Sequence, residues 1–197
     1  GSTFKMTTAL ALLDAGIDPT ERVTCTGGYR YGGRTFRCWR AGGHGPQDMH
    51  NAIKNSCETY FYHLCNRAGV DRIARVAKDL GFGHAYEIGI AGQSSGTVPS
   101  TQWKRDYTAR TSWDDDGTWY PGETLSVAIG QGALAVNALQ LAVMASRIAN
   151  GRKAVQPRLV KAVAGEERAG GAFEDLPFSD EHLDIVRGGM AAVANDV

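Results

Sequence analysis

The chain has 197 residues, and its 21 Lys and Arg balance its 21 Asp and Glu, so the formal net charge is zero. With no basic block and no interleaving of basic and aromatic residues, nucleic acid is not an expected partner. The longest strongly apolar stretch, 139–148, contains Gln140, Ser146 and Arg147, and is too short and too polar to cross a bilayer. The length favours one domain, or one domain with an appendage.

Hydrophobic periodicity predicts a mainly helical chain with short β-hairpins. Six helices are predicted, over 3–15, 46–68, 71–80, 100–107, 137–150 and 179–195. Pro46 is expected in the first turn of the second helix, and the apolar 137–150 helix is expected at the centre of the fold. Residues 22–45 contain seven glycines and are expected to form irregular hairpins, while 152–163 is expected to be a strand or hairpin arm.

Both ends of the sequence are expected to lie inside a larger domain. A helical pattern begins at the second residue with no strand before it, and the last predicted helix stops two residues before the chain does. On this interpretation residues 1–197 are a fragment of a single domain.

The first candidate for catalysis is Ser2-Thr3-Phe4-Lys5, which fits the pattern S-x-x-K. Residues three apart on a helix share one face, so Ser2 and Lys5 can meet. A serine hydroxyl needs a nearby base to become a nucleophile, and a lysine acts as one only when neutral, a form that the positive end of a helix dipole favours. The pattern is common by chance, so by itself it decides little.

Four segments in one order resemble the class B penicillin-binding proteins, in particular the subgroup that works in cell elongation. They are the serine motif Gly1–Lys5, the W-x-x-x-G-H-G stretch Trp39–Gly45, the second-motif region Asn55–Tyr62, and the G-Q-G segment Ala128–Gly132 with Leu139-Gln140 after it. This resemblance implies the helical part of the penicillin-binding transpeptidase fold, with most of the central sheet outside residues 1–197.

The resemblance also implies roles for single residues. Ser2 would attack the D-Ala-D-Ala end of a peptidoglycan stem peptide, Lys5 would take its proton, and Ser56 would relay a proton toward the leaving group. A second peptide amine would resolve the acyl-enzyme, and β-lactam antibiotics would trap Ser2. The implied location is the periplasmic face of the bacterial inner membrane, reached through an N-terminal anchor helix outside this sequence, with proteins of the elongation machinery as partners.

Two features depart from the family pattern. The second motif is usually Ser-x-Asn, or Ser-x-Asp in this subgroup, whereas here it is Ser56-Cys57-Glu58, so the contact of Glu58 with Lys5 or substrate is open. The third motif, Lys-(Ser/Thr)-Gly, is absent from the sequence. We therefore expect these 197 residues alone to be catalytically weak or inactive.

The cysteines and one histidine form a second candidate site. Cys25, Cys38, His44 and Cys57 make a Cys3His set, which suits a structural zinc ion that would staple the loops of residues 22–58. Two alternatives are a Cys25–Cys38 disulfide and unrelated buried thiols. Cys65 is assigned to the core.

Two other functions use the same residues differently. A serine β-lactamase or β-lactam sensor also carries S-x-x-K, and a non-catalytic, zinc-stapled scaffold module would need only the cysteines. The sequence also contains four aromatic residues that either line a cleft or pack beneath a long loop: Trp103, Trp113, Trp119 and Tyr120.

Overall fold

The computed structural model describes residues 1–111, 115–167 and 170–196. The predicted mainly helical class is confirmed over these ranges. A 3-10 turn, Ser2–Phe4, leads into the first of the helices: α1 Lys5–Asp14, α2 Met49–Lys54, α3 Glu58–Ala68, α4 Val70–Asp79, α5 Thr101–Arg110, α6 Pro121–Ala128, α7 Ala138–Ala149 and α8 Asp180–Asn195. No helix in the described ranges is both long enough and apolar enough to cross a membrane.

The strands in the described ranges form two-stranded antiparallel sheets. β1 (Val23–Cys25) pairs with β4 (Gly45–Gln47), β2 (Gly28–Tyr31) with β3 (Arg34–Arg37), and β5 (Ala162–Val163) with β6 (Glu166–Glu167). The hairpins predicted within 22–45 are therefore confirmed. The predicted arm at 152–163 is a strand only at its end, in β5. Nearer its start it forms an isolated β-bridge between Lys153 and Asp175 and no regular strand.

The centre of the fold is α1. Its residues from Lys5 to Leu13 are all buried, and it packs against α3, α4 and α8. The expectation that 137–150 would be central is wrong, because α7 buries only the face with Val143, Met144 and Ile148. Its other face carries small residues and is exposed at Ala142. The high apolar content of α7 therefore does not make it the most buried helix, which is α1.

The predicted helix 46–68 is two helices. Pro46 lies in β4, paired with Thr24, and α2 begins only after Asp48, whose side chain accepts a hydrogen bond from the backbone N–H of Asn51. The chain breaks between α2 and α3, where Ser56 has a φ of +50°. A serine rarely adopts this left-handed conformation, and such strain persists only where surrounding contacts hold it.

The glycine-rich stretch 83–122 contains the predicted helix at 100–107, which is confirmed as α5 and capped by the Ser100 side chain. It also contains α6, which the sequence pattern did not predict. Pro121 occupies the first turn of α6, and the Glu123 carboxylate accepts a hydrogen bond from the Tyr120 N–H at 2.8 Å. Trp113 lies outside the described residues.

Candidate active site and cysteine–histidine cluster

The 3-10 turn at the start of α1 brings Ser2 and Lys5 together. Side chains at i and i+3 eclipse in this kind of turn, and Lys5 Nζ lies 3.3 Å from Ser2 Oγ. Ser2 is exposed, whereas the Lys5 side chain is only 1% exposed. The Gly1 backbone nitrogen donates a 2.8 Å hydrogen bond to the Gly130 carbonyl, which ties the turn to the G-Q-G segment.

Ser56 completes a triangle with this pair. Lys5 Nζ donates to both Ser56 Oγ and the Ser56 carbonyl at 2.8 Å, and Ser56 Oγ donates to Ser2 Oγ at 2.9 Å. The positive φ of Ser56 turns its carbonyl and hydroxyl toward the same ammonium. The three side chains are therefore within proton-transfer distance, and once Lys5 is a neutral amine the Ser2 proton can reach it directly or through the Ser56 hydroxyl.

Glu58, the first residue of α3, uses its two oxygens on different partners. Oε1 accepts from Lys5 Nζ at 2.9 Å, while Oε2 accepts from the Trp39 N–H and lies 3.1 Å from Cys38 Sγ. Burial opposes ionisation, but hydrogen bonds from Trp39, Lys5 and Cys38 outweigh it and lower the pKa of Glu58. The carboxylate is therefore the anion that balances the buried Lys5.

The four predicted metal ligands lie together beside this group. The ligand atoms of Cys25, Cys38, His44 and Cys57 are all within 4.8 Å of one another. His44 Nδ1 is 3.6 Å from Cys25 Sγ and 3.5 Å from Cys38 Sγ. A tetrahedral site with zinc-like bond lengths has a sulfur–nitrogen edge of about 3.6 Å, so these residues fit such an ion.

Each ligand comes from a different piece of chain. Cys25 ends β1, Cys38 follows β3, His44 precedes β4, and Cys57 lies at the break between α2 and α3. Gly43, with a φ of +78°, lets the loop pass close to β1, because a Cβ there would lie 2.2 Å from the Cys25 carbonyl oxygen.

The electrostatics of the thiols are unequal. Burial opposes ionisation of Cys25, but hydrogen bonds from Thr59, Gly27 and His44 lower its pKa to about 6. Burial raises the pKa of Cys38, with Glu58 adding to the effect, and burial also raises the pKa of Cys57. Cys25 is therefore the thiol most ready to bind a cation as thiolate.

The alternatives for the cysteines can now be compared with the geometry. All four are free thiols, so no Cys25–Cys38 disulfide is present. Cys65 is fully buried on α3, its Sγ lies 3.6 Å from the Tyr62 carbonyl oxygen, and it is not part of the cluster. Its assignment to the core is confirmed.

Comparison with known proteins decides the family. The penicillin-binding protein transpeptidase domain matches residues 1–197. The chain belongs to this transpeptidase family. It is 37% identical over 168 residues to the peptidoglycan D,D-transpeptidase MrdA of Acinetobacter baumannii, a match that covers 84% of this chain and 24% of that protein. With MrdA of Escherichia coli K12 it shares 28% over 203 residues, covering 98% and 31%.

Solved structures of penicillin-binding proteins have the same fold as this chain. PBP2 of Pseudomonas aeruginosa in complex with WCK 5153 superimposes with a TM-score of 0.84 at 35% identity, covering 96% of this chain and 43% of that one. PBP2 of Helicobacter pylori gives 0.84 at 27% identity, covering 99% and 35%. The chain spans about a quarter of the length of the MrdA proteins of Acinetobacter baumannii, Haemophilus influenzae and Salmonella typhimurium. The predicted fold class and its resemblance to PBP2 are confirmed.

Within this transpeptidase framework, the eight predicted site residues form two adjoining groups. Ser2, Lys5, Ser56 and Glu58 make one, and the Cys3His cluster makes the other. Glu58 belongs to the first group and touches the second through Cys38.

Trp39 contacts both groups of candidate residues, although the sequence did not single it out. Its indole N–H donates to the Asn55 carbonyl at 3.0 Å, its backbone N–H donates to Glu58, and its ring packs edge-on against His44 at 5.1 Å. Trp39 is nevertheless 65% exposed. The only signal for it was its place at the start of the W-x-x-x-G-H-G stretch.

Proposed function

We propose that residues 1–197 are the nucleophile-bearing part of a single peptidoglycan D,D-transpeptidase domain that acts in cell elongation. The observation that carries the proposal is the triangle of Ser2, Lys5 and Ser56, whose side-chain atoms lie 2.8–3.3 Å apart. The candidate nucleophile is within hydrogen-bond reach of a buried lysine, as activation of a serine hydroxyl requires. The relatives named MrdA support the same reaction class.

In the proposed reaction, Lys5 acts from its neutral amine form: Ser2 Oγ attacks the carbonyl carbon of the penultimate D-alanine while Lys5 Nζ takes the hydroxyl proton. The tetrahedral intermediate collapses, the bond to the terminal D-alanine breaks, and the proton passes through Ser56 to the leaving amine. An amine of a second stem peptide then attacks the acyl-enzyme, the ester bond to Ser2 Oγ breaks as the cross-linking amide forms, and the amine's proton returns to Ser2 Oγ. The same attack on a β-lactam ring leaves an acylated Ser2.

The Cys3His cluster is proposed to hold a structural zinc ion. Cys25, Cys38, His44 and Cys57 would be its ligands, and the ion would bind together loops that contain few large apolar side chains. Cys57 lies between Ser56 and Glu58, so its fixation also fixes the strained backbone at Ser56. The role is structural, since four protein ligands leave no open position.

The proposed setting follows from the relatives. One solved structure holds Helicobacter pylori PBP2 in a complex with MreC, and another concerns a peptidoglycan synthase complex that coordinates polymerisation and cross-linking. We extend this to the parent of the present chain: its substrates are peptidoglycan stem peptides, its partners include proteins of the elongation machinery, and it works at the periplasmic face of the inner membrane.

The test is labelling with fluorescent penicillin in a chain that also carries the family's Lys-(Ser/Thr)-Gly motif, with Ser2→Ala alongside. A label that persists for hours and is lost in Ser2→Ala supports the transpeptidase. A label that is rapidly hydrolysed indicates a β-lactamase instead. A well-folded chain with no label at all would leave the zinc-stapled scaffold as the better account.

A further inference from the structure

The β2–β3 hairpin and its flanks carry unpaired positive charge in a chain that is neutral as a whole. Residues 22–47 contain no lysine, aspartate or glutamate but five exposed arginines: Arg22, Arg30, Arg34, Arg37 and Arg40. Exposed arginines on α3 and α4 lie beside carboxylates, Arg67 beside Glu21 and Arg75 beside Asp14. Within the residues that the structure describes, none of the five has an ion pair or a side-chain hydrogen bond. Their charge is therefore not balanced by the protein itself.

The register of the hairpin places two of these arginines on the same face. Gly28 pairs with Arg37, and Arg30 pairs with Thr35, so these four residues share one face of the ladder. Arg30 and Arg37 are diagonal neighbours on this face, and the Cβ atoms of such neighbours are about 7–8 Å apart, within reach of long side chains. Two like charges at this spacing repel each other, and an anion bound between them would remove the repulsion.

The face that carries Arg30 and Arg37, called here the outer face of the hairpin, is concave. Its concavity has a volume of about 510 Å³ and is bordered by the two arginines, two threonines and two glycines: Arg30, Arg37, Thr26, Thr35, Gly27 and Gly28. No carboxylate and no aromatic ring is among the described residues that border it. The rings of Tyr29 and Phe36 pack on the opposite face, against side chains of α3. The outer face therefore offers positive charge and hydroxyl groups, but no ring on which a base or a sugar could stack.

Such a set of donors suits a phosphate group better than a single carboxylate. One guanidinium can satisfy a planar carboxylate through two parallel hydrogen bonds, whereas a phosphate monoester has three terminal oxygens and close to two negative charges at neutral pH. We propose that the outer face of the hairpin binds a phosphate monoester, with Arg30 and Arg37 as its charged partners and Thr26 and Thr35 as hydroxyl donors. The concavity has room for the phosphate and for part of the soluble molecule or lipid headgroup that carries it. The inference does not depend on the proposed transpeptidase function.

The test measures binding of glycerol 3-phosphate at low salt by calorimetry and by shifts of backbone amide NMR signals, with glycerol as the uncharged probe. We expect the unmodified chain to bind the phosphate ester and not glycerol, with the largest shifts at Gly27, Gly28 and Thr35. Arg30→Gln and Arg37→Gln should each weaken binding by about tenfold or more, because each removes a charge-assisted hydrogen bond. Zinc content is measured in every sample, because Cys38 also borders the concavity.

The matched control compares two double variants that lose the same charge. Arg30→Gln with Arg37→Gln removes both arginines of the outer face, whereas Arg67→Gln with Arg75→Gln removes two exposed arginines of α3 and α4. The first should abolish measurable binding, and the second should keep affinity within about threefold. Thermal unfolding midpoints check that both are folded, and glycerol 3-phosphate should raise the midpoint of the control variant only, since a ligand stabilises the state that binds it.

A further arm separates the two sources of phosphate, using phosphatidylcholine vesicles with and without phosphatidic acid. Binding to the phosphatidic acid vesicles that is at least about tenfold tighter than to glycerol 3-phosphate supports the site and assigns it to a lipid headgroup. Binding of glycerol 3-phosphate without this gain supports the site and assigns it to a soluble ester. The proposal is overturned if glycerol 3-phosphate does not bind, or if both double variants lose affinity equally. Tighter binding of a hexaglutamate peptide would also overturn it and would assign the outer face to an acidic protein segment.

Discussion

Glu58 balances the charge of Lys5 at a buried position, where water cannot solvate either charged group in place of its partner. The Lys5 side chain is 1% exposed and that of Glu58 13% exposed, and their charged atoms lie 2.9 Å apart. In such an ion pair, most of the energetic consequence appears when one partner is removed, because the other is left charged and buried. The pair therefore gives a sharp test at the scale of single residues.

Glu58→Ala should lower the free energy of unfolding by about 3–5 kcal/mol, because it strands the Lys5 ammonium. Glu58→Gln should cost less, since an amide oxygen still accepts a hydrogen bond from Lys5. Urea denaturation measures both. Bound metal is quantified in the same samples, because Glu58 also touches Cys38.

The control for Glu58 is an exposed ion pair, Lys153–Asp175, whose side chains are about half exposed. Lys153→Ala should leave the unfolding midpoint nearly unchanged, because water replaces the lost partner. If Glu58→Ala behaved like this control, the buried pair would have no role in stability.

The elements around the cluster are short strands and loops, and their stability should depend on the metal. A chelator is expected to lower the thermal midpoint of the zinc-loaded protein and to release one zinc per chain, since binding energy at a structural site is folding energy. Cys38→Ser should give the same low midpoint without chelator. The measurements are calorimetry and metal analysis.

Cys65→Ala provides the matched cysteine variant, because Cys65 is buried on α3 but lies outside the cluster. It should keep one zinc per chain and a chelator-sensitive midpoint. The structural metal would be refuted if chelators left the thermal unfolding midpoint unchanged and the protein contained no zinc after purification in the presence of zinc.

The packing of α8 on α2 offers a second test at the scale of elements. Gly188 and Gly189 are adjacent in α8, yet a Cβ at Gly189 would lie 2.8 Å from Ile53 Cβ, while one at Gly188 would meet only His50 Nδ1 at 3.8 Å. Gly188→Ala should stabilise the protein by up to about 1 kcal/mol through helix propensity. Gly189→Ala should destabilise it by about 1–3 kcal/mol, because the helices must move apart. Denaturant unfolding measures the change in stability of each variant. Equal changes for Gly188→Ala and Gly189→Ala would contradict the close packing of Gly189 on Ile53.

At the scale of the whole molecule, the two site groups are assembled but one motif of the family is not in the sequence. The family resemblance implies that Lys-(Ser/Thr)-Gly on a strand would help to bind the substrate carboxylate, and that this strand would supply an oxyanion-hole donor. We expect these 197 residues to be acylated by fluorescent penicillin at least about a hundredfold more slowly than a chain that includes the motif, which is the scale for loss of one oxyanion donor. Gel-based labelling time courses measure the ratio, and equal rates would contradict the expectation.

The parts of the site that could be predicted from the sequence are those signalled by residue type and by spacing along the chain. Ser2 and Lys5 were found from a spacing of three residues, and the Cys3His ligands from their residue types. The break at Ser56 was missed because its left-handed backbone is held by partners far away in sequence, chiefly Lys5. For the same reason the two-sided contact of Glu58 with Lys5 and Trp39 could not be read from a motif.

The helix α6 and the edge position of α7 were missed for another reason. Short helices such as α6 depend on packing and caps more than on periodicity, and the local signals for this one, Pro121 and Glu123 in its first turn, stand beside a Tyr and not a usual N-cap residue. In α7, Ala142, Ser146 and Ala149 already marked an outward face of small residues, which the overall apolar content obscured.

Ser56, Cys57 and Glu58 follow one another directly, yet each contacts a different group: the nucleophile, the cysteine cluster and the buried lysine. An insertion or deletion of one residue here would displace all three at once, since consecutive residues point in different directions. A substitution changes the side chain at one position and leaves the backbone places of the other two unaltered. Residues 56–58 should therefore tolerate substitutions but not insertions or deletions, and we expect homologues to differ there by substitution alone.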